Sequence, residues 1–128
     1  MSTAGESRPA DLTLDERATL RDLLLDAAER ARRDAAALNR DFDAIVDAAA
    51  GSNSDDEHDP EGSTIAFERA QVSSLIERAL AAESAAVVAL ARWESGTYGR
   101  CESCDAPIGK QRLLARPATT RCIDHAGP

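Results

Sequence analysis

Four side chains near the end of this chain have the types and spacing of a metal centre. Cys101 and Cys104 form a C-x2-C pair, Cys122 and His125 form a C-x2-H pair, and 17 residues separate the two pairs. Zinc accepts thiolate and imidazole in tetrahedral coordination, and a two-residue gap lets a tight turn aim both ligands at one ion. Three thiolates and one imidazole fill all four positions, leaving none for water. The expectation is one structural Zn2+ per chain, with zinc preferred to iron. Two other readings compete. His125 could be a tail histidine with water or nothing in the fourth position, or C-x2-C could be a redox pair. The redox pair needs a helix N-terminus in a βαβ setting, which is lacking. All three cysteines of the chain lie in this stretch; an odd number gathered in one place favours metal over disulfides. So short a segment has little apolar material, so the metal should supply much of its folding free energy. Chelation is therefore expected to disorder the chain after Ser95 and to leave the helical signal largely intact.

A second group of reactive side chains lies in "GSNSDDEHDPEG", residues 51–62, which holds five acids and no Lys or Arg. Such carboxylates suit a basic surface or a bound Mg2+. Taken alone, a charge run of this kind reads first as a solvated loop, and His58 within it as a solvated loop histidine.

Two helices must position these groups. Thr13 with Glu16 three residues on forms a capping box, and neither Gly nor Pro interrupts the chain from there to Ala50. Leu24, Ala28, Ala31, Ala35, Leu38, Phe42, Ile45 and Ala49 recur at alternating steps of four and three, a heptad seam. Gly51 ends this helix. The next is predicted to start between Asp59 and Ser63 and to run to about Ser95, where Gly96 stops it. Its seam reads Val72, Leu75 or Ile76, Ala79, Ala82, Ala86, Leu90 and Trp93. At 1.5 Å per residue the helices would measure roughly 55 and 48 Å, and so short a linker makes them antiparallel neighbours. Trp93 and Tyr98 are expected to cement the junction between hairpin and metal module.

The predicted fold class is mostly α: a long antiparallel two-helix coiled-coil hairpin followed by a small C-terminal zinc finger. Residues 1–12 read as a flexible arm, 13–95 as the hairpin with its acidic tip at 51–62, and 96–128 as the finger. Composition agrees, because aromatics are 3% of 128 residues, too few to fill a globule but no obstacle to helices packed through alanine. No run of 18 apolar residues is present, so no membrane span is expected. The N-terminus has no secretory pattern. The net charge of −8 is uneven. From Gly96 onward five basic residues oppose three acids, giving +2 and leaving −10 on residues 1–95. Overall acidity opposes tight nonspecific binding to duplex DNA.

The stretch "YGRCESCDAPIGKQRLLARPATTRCIDH" closely resembles the zinc-finger signature of the DksA/TraR family of bacterial transcription factors. The resemblance rests on Tyr98-Gly99, Cys101-Glu102-Ser103-Cys104, Ile108-Gly109, Arg112-Leu113, Ala115-Arg116-Pro117 and Cys122-Ile123-Asp124. It implies a cytoplasmic, non-enzymatic regulator that binds RNA polymerase and inserts its coiled-coil tip through the secondary channel. A monomer is expected, with neither membrane association nor sequence-specific DNA binding. The family's tip pattern Asp-x-x-Asp-x-Ala, aligned through Phe67, falls on Asp56, Asp59 and Glu61, with glutamate in place of the alanine. In the family's guanosine tetraphosphate pocket, Arg116 matches one basic residue. Ala126 stands after the last ligand, and no Lys or Arg lies around Glu83, which implies a weak response to the nucleotide or none. Two readings from other classes are a nucleic-acid-binding finger using Arg112, Arg116 and Arg121, and a coiled-coil oligomerisation protein capped by the finger.

Overall fold

The computed structural model describes residues 12–50 and 60–126, without the side chains of Pro60 and Glu61. Among these residues there are three α-helices and no strand: α1 (Leu14–Ala50), α2 (Pro60–Ser95) and α3 (Lys110–Ala115), with a 3-10 turn at Ile123–His125.

The capping box forms as the sequence predicts. The Thr13 backbone N–H donates to Glu16 Oε1 at 3.0 Å, and the Glu16 N–H donates to Thr13 Oγ1 at 3.0 Å. Two amides that the first turn would leave unpaired are thereby satisfied. α2 opens on Pro60, whose missing N–H costs nothing at a first helical position. It ends where Gly96 takes φ 81°, a left-handed conformation open to glycine at little cost. The Thr97 and Tyr98 amides then close back on the Arg92 carbonyl at 2.9 and 3.1 Å.

The chain divides into two compact units, one made of the residues up to Glu29 and from Glu83 onward, the other of Arg30–Ala82. In the second unit, Asp34, Ala37 and Leu38 of α1 face Leu75, Arg78 and Ala79 of α2, and Asp41, Ala44 and Ile45 face Glu68, Gln71 and Val72. Numbers that rise on one helix fall on the other, so the pair is antiparallel. In the first unit, Leu20 and Leu24 of α1 pack with Ala89 of α2 in a core that also holds Tyr98, Ile108, Leu113, Cys101 and Cys122. Burial of each such leucine contributes about 1.5–3 kcal/mol.

Every α1 seam position predicted from the heptads is buried or partly buried. On α2 the structure decides one open alternative and corrects one position. Of Leu75 and Ile76, the partly buried residue is Ile76, and Ala82 is exposed while Glu83 is partly buried. The seam therefore runs Val72, Ile76, Ala79, Glu83, Ala86, Leu90 and Trp93 in unbroken steps of four and three. A charged side chain occupies one of its positions, where its methylenes can cover apolar surface while the carboxylate stays wet. Leu12, expected at the end of a flexible arm, is buried with 9% exposure and belongs to the core of the first unit.

Candidate metal centre

The finger begins directly after α2. Cys101 and Cys104 lie on a tight turn in which the Asp105 N–H donates to the Cys101 carbonyl and the Cys101 N–H to the Ala106 carbonyl, both at 2.8 Å. Asp105 adopts φ 63° to complete it. An isolated antiparallel bridge between Arg100 and Pro107 closes its base. Cys122 immediately precedes the 3-10 turn and His125 is its last residue, and the His125 N–H donates to the Cys122 carbonyl at 3.0 Å.

Sγ of the three cysteines and a ring nitrogen of His125 all lie within 4.8 Å of one another. Cys104 Sγ is 3.7 Å from Cys122 Sγ, and Cys122 Sγ is 3.2 Å from His125 Nδ1. Tetrahedral zinc with Zn–S bonds near 2.3 Å demands an S···S edge of about 3.8 Å, so the donor set fits the ion. Cys101 and Cys122 are buried and Cys104 and His125 exposed. No fifth donor is grouped with these four among the described residues. The cluster is the site of one structural zinc, and its four donors are those that the spacing picked out. The nitrogen facing Cys122 is Nδ1, a detail that spacing does not supply.

The electrostatics favour the first thiolate and oppose the next. Burial disfavours ionisation of Cys101, but the amides of Cys122, Ser103 and Cys104 outweigh it and bring the thiol down to about 6. For Cys104 the Ala106 amide favours the thiolate, yet desolvation and the Cys101 and Cys122 sulfurs prevail and push it up. A divalent cation relieves this conflict by offsetting two of the three thiolate charges and leaving the site at −1.

Several supporting contacts carried no sequence signal. Glu102 joins the two ligand-bearing segments: it accepts from Arg121 Nε at 2.9 Å and from Thr120 Oγ1 at 3.0 Å, while its N–H donates to the Thr120 carbonyl at 2.8 Å. Arg112 Nε donates to the Arg121 carbonyl at 2.9 Å. Arg92, in the last turn of α2, donates to the carbonyls of Thr97 and Arg100 and so clamps the helix end to the first residues of the finger. Glu16, already engaged in the cap of α1, meets Lys110 of α3 at 3.1 Å. The Thr13 amide, and then Lys110, hold its carboxyl below the usual range.

Trp93 and Tyr98 do meet at the junction, with ring centroids 4.8 Å apart. Arg17 sits over the Trp93 ring at 4.8 Å, a cation–π contact. The Tyr98 hydroxyl donates to the Pro117 carbonyl at 2.8 Å, and burial raises its phenol to about 12. Arg116 and Ala126 line an open cavity of about 600 Å³ together with Ala85, Arg112 and Arg121. The acids assigned to the tip, Asp56 and Asp59, lie outside the described residues, as does His58; Glu61 stands in the first turn of α2.

Residues 96–124 match the family model of the prokaryotic dksA/traR C4-type zinc finger. The match stops one residue short of His125, which replaces the fourth cysteine of a C4 set. Among solved structures, the chain resembles that of transcription factor DksA2 from Pseudomonas aeruginosa, with 28% identity and a TM-score of 0.67 over 87% of this chain and 80% of that one. A search of curated proteins finds no match. The finger's sequence, the convergence of its donors and the likeness across both long helices agree: residues 96–124 are a zinc finger of the dksA/traR type, and the chain carrying it is similar in fold to DksA2.

Proposed function

We infer that this DksA-like regulator binds RNA polymerase and presents its acidic tip, residues 51–62, through the secondary channel to modulate initiation. The observation that carries the reading is the pairing of a DksA/TraR finger with two antiparallel helices, since Ala50 and Pro60 bracket a segment of concentrated carboxylates. Likeness to a structure described as a transcription factor supports it. In this reading residues 13–95 are the probe, with Asp56, Asp59 and Glu61 at its business end, and 96–128 are the base that braces it against the polymerase. The protein supplies charge and position rather than a reaction of its own, acts as a monomer in the cytoplasm, and needs no contact with DNA. A finger of +2 beside −10 on the rest of the chain suits a protein surface better than duplex phosphate.

The cavity beside Arg116 also holds Arg112 and Arg121, but Ala126 stands after the last ligand and Ala85 lines the α2 side, where the resemblance calls for further basic residues. A weak response to guanosine tetraphosphate, or none, belongs to this reading. The reading is tested by co-purification with RNA polymerase and by transcription with Asp56→Asn/Asp59→Asn. The variant should keep binding and lose its effect on initiation. Wild-type protein that neither binds the polymerase nor alters initiation defeats the proposal.

A further inference from the structure

The unit Arg30–Ala82 carries a feature that the polymerase reading does not use. Two shallow depressions lie between α1 and α2, with volumes of 440 and 430 Å³. On α1 the first is lined by Asp34, Ala37 and Leu38 and the second by Asp41, Ala44 and Ile45, each seven residues further on. On α2 the first is lined by Leu75, Arg78 and Ala79 and the second by Glu68, Gln71 and Val72, each seven residues back. The depressions are thus one groove repeating every heptad, about 10.5 Å along the helix axis. Its floor is apolar, with Ala37, Ala44 and Ala79 set among Leu38, Ile45, Val72 and Leu75, and Leu75 is 45% exposed. The α1 rim bears a carboxylate once per heptad, at Asp34 and Asp41, and Glu68 adds a third on the α2 side. Asp34, Asp41 and Glu68 make no ion pair among the described residues.

We propose that this groove seats an amphipathic α-helix of a partner protein, apolar every seven residues and flanked by Lys or Arg at the same interval. The period selects the occupant, because a ligand matching two equivalent hollows one heptad apart must itself repeat every two helical turns, as a third strand of a coiled coil does. Small floor residues let that helix approach closely, and the apolar strip between the charged rims excludes water from the contact. The carboxylates select the sign of its flank. Asp34 and Asp41 would each meet one cation, and an acidic helix would be repelled most at the Asp41 hollow, since Arg78 lines the other. The Asp41 end, with Glu68 opposite and no Arg in the hollow, would take the more basic part of the helix.

The test uses full-length zinc-loaded protein and two synthetic helices of about four heptads. Both carry alanine and leucine on the seam; one has arginine, the other glutamate, at the flanking positions. Fluorescence anisotropy at low salt should show saturable binding of the arginine helix, at least tenfold tighter than the glutamate helix. Asp34→Lys/Asp41→Lys should invert that preference. Ala44→Arg, at an exposed position in the floor, should weaken binding at least tenfold while circular dichroism stays unchanged. Absence of saturation at millimolar peptide overturns the proposal, as does binding indifferent to these substitutions. Light scattering that shows a dimer abolished by Ala44→Arg also overturns it, by making a second copy the occupant. None of these readouts involves RNA polymerase, so they stand or fall apart from the function proposed above.

Discussion

Leu113→Ala should weaken zinc binding although Leu113 donates nothing to the metal. The side chain is fully buried, on α3, in the core that contains Cys101 and Cys122. Truncating a buried leucine to alanine costs about 2–5 kcal/mol, the higher figures where the cavity cannot collapse. Here the cavity is walled by Leu20 and Leu24 of α1 as well as by the finger, so a middle value of about 3 kcal/mol is reasonable. The metal site exists only in the folded finger, so the cost of folding is subtracted from the free energy of binding. At about 1.4 kcal/mol per decade, zinc affinity should fall roughly 100-fold. Competition against a chromophoric chelator at fixed pH reads this directly. Ile123→Ala is the control: its side chain is 75% exposed beside Cys122, and affinity should stay within about threefold of the wild type. If Leu113→Ala lowers the melting temperature but leaves zinc affinity unchanged, the donor cluster folds without the core and the coupling argued here is wrong.

Chelation should reach further than the finger. α3 has only 6 residues against 37 and 36 in α1 and α2, so the helical signal should fall by roughly a tenth or less. Hydrogen exchange should nevertheless accelerate at residues 12–24 as well as after Ser95, because Leu12, Leu20 and Leu24 share the finger's core; unchanged protection there would count against a common core. Thr13→Ala should cost about 1 kcal/mol by removing one arm of the capping box, measurable by urea denaturation, while Thr13→Ser should restore most of it. Tyr98, raised to about 12 by burial, gives the protein an alkaline limit. A folded-state value above the unfolded one contributes stability that is complete below about pH 10 and is lost as pH rises toward 12. Denaturation followed at 295 nm should begin in that window, and phenolate appearing at pH 10 in folded protein would refute it. Glu16 works in the opposite direction. Its carboxyl is held low by the Thr13 amide and Lys110, so its contribution is present at neutral pH and is lost as pH falls through the lowered value. Glu16→Gln should remove that part of the acid sensitivity.

Much of this molecule could be read from local pattern, for identifiable reasons. A capping box, an unbroken heptad and a pair-loop-pair of metal ligands each place interacting groups within a few residues, so spacing alone fixes their geometry. The misreadings came where residue type competed with spacing. Ala82 has the apolar type expected of a seam residue, although strict alternation from Val72 to Trp93 selects position 83. Leu12 was assigned to the arm, yet an apolar residue immediately before a capping box is the usual position of a hydrophobic anchor. The contacts of Glu16 with Lys110, Arg17 with Trp93 and Arg92 with the carbonyls of Thr97 and Arg100 join distant stretches or depend on backbone placement. Only packed coordinates reveal them.

The alanines at 31, 35, 86 and 89, all buried where α1 and α2 run side by side, reverse the usual sensitivity of a protein interior to change. In a core of leucines, shrinking a side chain is the damaging step. Here little remains to be removed, and a bulkier replacement has nowhere to go without prising two backbones apart. Conservative-looking exchanges such as Ala35→Val or Ala86→Leu are therefore expected to be more harmful than many drastic ones on the outer faces.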